Sequence, residues 1–163
     1  MSVEEFITKC VAGDESEAKS MVERDPGLHN KQDSEGWTGL MEALRYKRHS
    51  LSRWLLSLPG LDTNLRNKWN DTALNLACYY DAPLDIVIAL VRLSSWETVN
   101  RKGINGGTTA LDYAIQYNNT SAALYLSWLG AECKEENRKY REVTVQTWIE
   151  AGFQQEAQYW AVC

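Results

Sequence analysis

A six-residue phrase occurs three times in this chain: Thr38-Gly39-Leu40-Met41-Glu42-Ala43, Thr72-Ala73-Leu74-Asn75-Leu76-Ala77 and Thr109-Ala110-Leu111-Asp112-Tyr113-Ala114. Thr, Leu and Ala hold the same places each time, and the copies lie 34 and 37 residues apart. Self-similarity at a period of roughly 33 residues marks a stack of small units, none of which can bury its apolar face alone. Each unit then touches only its neighbours, and a terminal unit needs one polar outer face.

Within a unit the residues spell a turn followed by two antiparallel helices. Asp33-Ser34-Glu35-Gly36 supplies the first such turn, and Thr38 stands where a helix N-cap belongs, its hydroxyl placed for an orphan amide. Leu40, Ala43 and Leu44 then have the i, i+3, i+4 spacing of a buried stripe. A second helix is predicted from about Ser50 to Leu58, with Leu51, Trp54, Leu55 and Leu58 inward, and it stops at Pro59-Gly60. The next copy turns at Asn67-Lys68-Trp69-Asn70 and is capped by Asp71 or Thr72; Leu84, Val87, Ile88 and Val91 form its second stripe. The last turns at Ile104 to Gly107, is capped by Thr108 or Thr109, and closes at Gly130-Ala131. Before these, Glu4 to Ala12 and Glu15 to Arg24 read as a degenerate pair of helices that lacks the phrase, as a capping unit would. Trp96 lies in a loop with no assigned role.

The phrase Thr-x-Leu-x-x-Ala at this period resembles the ankyrin-repeat family. The resemblance covers residues 1–133 and implies an all-α solenoid of helix-turn-helix units with β-turn tips. An N-terminal capping unit spans about residues 1–30, and fuller repeats span about 31–64, 65–100 and 101–133. Residues 134–163 form a separate C-terminal segment, expected to be helical. It begins with the polar run Lys134 to Lys139, read as a linker or solvated turn, and becomes apolar from Val143 to Cys163. Whether this segment caps the last repeat or begins a further unit of a longer chain stays open; the mass of the native protein decides it. The chain departs from the family in two columns. The family's Pro is replaced by Gly39, Ala73 and Ala110, and its His by Met41, Asn75 and Asp112. That His ties successive turns together; Asn75 and Asp112 can do so in part, Met41 cannot, and modest stability is the expectation.

Composition removes other classes. A net charge of −5 lacks the basic surface a general nucleic-acid binder needs. No apolar run approaches a membrane span, and Met1 to Gly13 carries Glu4 and Glu5 with no long apolar core, so it does not read as a secretory signal. Cys10, Cys78, Cys133 and Cys163 are scattered without a C-x-x-C pair, which suits small buried hydrophobes in the cytoplasm or nucleus. The histidines, His29 and His49, fall near a turn and at a helix junction, where structural or solvated roles are usual. Gly106-Gly107 is a tight turn and not a phosphate loop. Neither a nucleophile with its base, nor paired carboxylates, nor a metal cluster can be assembled. No enzyme activity, cofactor or metal is therefore expected.

Repeat stacks expose turn tips and first-helix ends along a concave groove, and the resemblance implies that a partner protein binds there. Carried over position by position, the binding residues are Trp37, Arg45, Tyr46, Lys68, Trp69, Tyr79, Tyr80, Gln116 and Tyr117, and the polar positions Ser34, Glu35, Asp71, Asn105 and Thr108 point to the same groove. Trp, Tyr and Arg dominate binding hot spots because they carry large area on few rotors. The expected function is a non-catalytic interaction module: a scaffold, an adaptor or an inhibitor by occlusion. The alternative is a structural segment of a longer array that packs on its own neighbours or self-associates. A third idea is an aromatic cage of Tyr46, Tyr79 and Tyr80 around a cation.

Overall fold

The computed structural model describes residues 2–103 and 107–139. The C-terminal expectation for Val143 to Cys163 lies outside the described residues. Helices α1 (Val3–Ala12) and α2 (Glu15–Arg24) form the first pair, followed by a 3-10 turn at Leu28–Asn30. Then come α3 (Gly39–Arg45) with α4 (His49–Leu56), α5 (Ala73–Tyr79) with α6 (Leu84–Leu93), a short α7 (Trp96–Val99), and α8 (Ala110–Gln116) with α9 (Thr120–Trp128). Among the described residues no strand occurs. Helix α1 packs on α3, α3 on α5 and α5 on α8, while α4 packs on α6 and α6 on α9. The stack therefore has an inner row and an outer row, with the core running continuously between them.

The repeated phrase explains this register. Thr38, Thr72 and Thr109 are the N-caps of α3, α5 and α8, each hydroxyl accepting from the amide three residues on at 3.2–3.3 Å. Of the two candidate caps in each later repeat, Asp71 or Thr72 and Thr108 or Thr109, the second is the one used. Leu40, Leu74 and Leu111 are at most 2% exposed, and Ala43, Ala77 and Ala114 are fully covered. An alanine at that place lets the next inner helix approach closely. The family's proline column has a local explanation at Gly39. A Cβ there would lie 2.5 Å from Phe6 Cε1 and 2.8 Å from Cys10 Sγ, so the capping helix α1 sits directly on the glycine.

Successive units are tied by side chains that the repeat phrase does not advertise. Asn30 Oδ1 accepts from Asp62 N at 2.9 Å, Asn64 Oδ1 from Thr98 Oγ1 at 2.6 Å, and Asn100 Oδ1 from Glu132 N at 2.8 Å. At the turn tips, Lys68 N donates to Glu35 O at 2.9 Å. In the histidine column, Asn75 Nδ2 donates to Arg101 O at 3.3 Å, and Asp112 Oδ1 accepts from Lys134 N at 2.9 Å. Met41 is buried as an apolar filler. The polar run after Cys133 is thus no free linker. Asn137 Nδ2 also donates to Asp112 Oδ1, at 2.7 Å, and residues 135–139 are helical. Trp96 opens the short helix α7 rather than lying in a loop, and stays half exposed.

Candidate binding face

Turns and inner-helix ends place one side-chain layer on a common face. The turn before α3 brings Trp37, and the turn before α5 brings Asn67, Trp69 and Asp71. Asn67 shapes its turn by accepting from Trp69 N and Asp71 N, both at 3.0 Å, as Asp33 does for Glu35 N and Trp37 N one repeat earlier. The ends of α3 and α5 bring Arg45 and Tyr79, and the middle of α8 brings Tyr113. Tyr46, Tyr80 and Tyr117 are the C-cap residues of the same three helices, so one tyrosine column runs along the stack.

These groups surround a cavity of about 210 Å³ lined by Trp37, Arg45, Asn67, Trp69, Asp71, Leu76, Tyr79, Tyr80 and Tyr113. Of the residues expected on the binding face, Trp37, Arg45, Trp69, Tyr79 and Tyr80 line it. Tyr46, Lys68 and Tyr117 flank it through ring contacts: Arg45 lies 5.5 Å from the Tyr46 ring, Lys68 Nζ 4.6 Å from the Trp69 ring, and Tyr117 4.2 Å from Tyr79. Lys68 also pairs with Glu35. Gln116 is exposed at the end of α8 and does not line the cavity.

Trp37 was expected at the surface and is instead only 6% exposed. Trp69 meets it edge-on at 5.7 Å and the Arg45 guanidinium covers it at 5.1 Å. The cage of Tyr46, Tyr79 and Tyr80 does not form as such. Tyr46 stays outside, and Tyr113 takes its place, 5.4 Å from Tyr79. Asn67, Leu76 and Tyr113 also line the cavity, although the repeat positions do not mark them as binding residues. Tyr113 was accessible in principle: it lies four residues before Tyr117 on one helix and so shares its face.

The electrostatics of the cavity centre on Asp71, which is 7% exposed. Among the described residues its carboxylate receives one long hydrogen bond, from Tyr113 Oη at 3.4 Å. Burial pushes its pKa above the ordinary carboxylate value, with the Tyr113 hydroxyl pulling back. The Tyr113 phenol is pushed up, first by burial and then by the Asp71 charge. Burial also raises Glu42, against the pull of Arg45, whose Nη1 lies 3.3 Å from Glu42 Oε1. Cys10 and Cys78 lie away from this chemistry, in the core; burial pushes the Cys10 thiol up to about 12. His29 is buried within the 3-10 turn, and His49 begins α4, its pKa lowered first by burial and then by Arg53 and Lys47. Among the described residues no group of three or more His, Cys, Asp or Glu side chains is placed to hold a metal ion, and no helix is long and apolar enough to cross a membrane.

Paired helices stacked in two rows, with a capped turn at each step and a side-chain face along the inner ends, define a repeat-solenoid protein. The family model for ankyrin repeats, in three copies, matches residues 40–137, more than half of the chain. The chain belongs to the ankyrin-repeat family. Among curated proteins it is similar to the NAD-capped RNA hydrolase NUDT12 of Homo sapiens, Pongo abelii and Macaca fascicularis. Each is 31% identical over 78 residues, which is 48% of this chain and 17% of the relative. The alignment thus spans less than a fifth of those relatives.

Proposed function

We propose that this chain is a non-catalytic protein-interaction module whose partner lies across the aromatic face. The observation that carries this reading is the alignment of Trp37, Trp69, Tyr79 and Tyr80 with Arg45 around one open cavity on successive repeats. Tyr46, Lys68, Tyr117 and the more distant Gln116 extend the contact surface. Large rings with polar tips and a guanidinium are the side chains that concentrate binding energy, and a mixed-charge rim suits a protein better than nucleic acid. The hydrolase activity in the relatives' name is not assigned here, because the matched segment covers 17% of them. We place the action inside the cell; the buried thiols of Cys10 and Cys78 support a reducing setting.

The test is partner capture from native extract with quantitative mass spectrometry, comparing the wild type with folded Trp69→Ala and Tyr80→Ala variants. A protein held by the wild type should lose about 2 kcal/mol or more of binding in either variant. Equal retention by all three would move the site off this face. Recovery of the chain alone would favour the array-segment reading.

A further inference from the structure

The cavity is walled by rings yet contains a buried carboxylate, Asp71, that makes no ion pair among the described residues. Asp71 is 7% exposed, and among the described residues its carboxylate receives a single long hydrogen bond, from Tyr113 Oη at 3.4 Å. Its floor is fixed: a Cβ on Gly103 would fall 2.5 Å from Asp71 Oδ1, so backbone closes that side and leaves the cavity side for a partner group. A second polar atom is also unsatisfied. Asn67 lines the cavity, is 5% exposed, and its Nδ2 has no hydrogen-bond partner among the described residues. Of the two basic residues at the rim, Arg45 is already engaged by Glu42 at 3.3 Å and by the Trp37 and Tyr46 rings, and Lys68 is paired with Glu35.

We infer that this cavity receives a lysine side chain of the partner protein, its methylene stem against the Trp69 and Tyr79 rings and its ammonium on Asp71. The inference rests on the reading of this face as a protein-binding surface. Ring faces attract a cation, and a desolvated carboxylate attracts it more strongly than a surface one does. The stem of lysine is apolar and suits the ring walls. An anionic group would meet Asp71 inside the same cavity and compete with Glu42 for Arg45. The free Nδ2 of Asn67 is a donor suited to a carbonyl of the incoming chain.

The test uses the full chain and blocked pentapeptides Gly-Gly-X-Gly-Gly, with X as lysine, trimethyl-lysine, acetyl-lysine, norleucine or glutamate. Binding is read by tryptophan fluorescence and by the NMR signals of the Asn67 amide and the tryptophan indoles. Lysine should bind at least tenfold tighter than acetyl-lysine and norleucine. Asp71→Asn should erase that preference, and Asp71→Glu, which keeps the charge, should retain it. Trimethyl-lysine binding as well as lysine supports the cation reading with the rings as the main contributors. Norleucine binding equal to lysine, and lost in Trp69→Ala, overturns the lysine inference while leaving the face a binding surface. A preference for glutamate overturns it in favour of Arg45. Absence of any response from the Asn67 and indole signals sinks the inference; unchanged partner capture by Trp69→Ala as well sinks the proposed function with it.

Discussion

Asp71 shows how one residue can be unfavourable for the fold and suited to binding. Its carboxyl has a pKa above the ordinary 3.8 because burial disfavours the charged form. Below that ordinary value the side chain is protonated in both the folded and unfolded chain and costs little. As pH rises, the unfolded chain releases its proton first, so this contribution to stability is lost as pH passes through the higher folded value. Denaturant titrations of Asp71→Asn should therefore match the wild type near pH 3 and show a more stable variant at pH 7, by about 1–3 kcal/mol at most. A variant less stable at pH 7 would mean that the carboxylate is satisfied in the folded chain. Gly39 is the opposite case, a residue selected by contact. Phe6 and Cys10 occupy the space of its missing Cβ, so Gly39→Ala should cost about 1–3 kcal/mol through overpacking, although alanine serves at the matching positions 73 and 110. Thermal unfolding of that single variant measures it.

At the scale of the element, the inner helices end alike. Arg48 N donates to Ala43 O at 2.7 Å, Ala82 N to Ala77 O at 2.8 Å, and Asn119 N to Ala114 O at 2.9 Å, the long bond of a Schellman ending. That ending needs a left-handed residue, and Lys47, Asp81 and Asn118 supply it with φ of 55°, 59° and 62°. Helix α1 uses Gly13 for the same purpose, with φ 78°. A lysine at such a place is strained by its Cβ. Lys47→Gly should thus stabilise the protein by about 1 kcal/mol, read as a shifted denaturation midpoint with an unchanged slope. A destabilised variant would show that the Lys47 side chain contributes more than its backbone costs.

Across the whole molecule, stability is the sum of units and of the interfaces between them. Leu74 stands in the middle of the stack and is 1% exposed. Leu74→Ala should cost roughly 2–5 kcal/mol through the cavity it leaves while sparing the aromatic face, whereas Trp69→Ala should weaken partner binding and leave the fold intact. If Leu74→Ala proved neutral in urea unfolding and Tyr80→Ala unfolded the chain, the division between core and binding face would be reversed. The asparagine ties at Asn30, Asn64 and Asn100 bridge consecutive units along the stack. Two of the three replacements in the histidine column, Asn75 and Asp112, add further ties to the segment that follows.

The sequence by itself determined the repeat, its register and the sorting of the inner helices. Periodic leucines and alanines can bury themselves in one stacking only, and a threonine before each run starts the helix by its own hydroxyl. The aromatic character of the inner ends was also legible, because the repeat period places Tyr46, Tyr80 and Tyr117 at the same place in successive units. What only the tertiary structure decided is which rings share a cavity. Trp37 and Trp69 belong to successive turns, and Tyr113 reaches Asp71 from 42 residues away, so their meeting depends on how closely neighbouring units pack. The same holds for burial: Trp37 is covered by the next repeat's tryptophan, and Asp71 loses water because the backbone at Gly103 lies against it. A linear pattern records which face a residue is on, but the distance between units is fixed by side chains from both, and that distance makes the cavity.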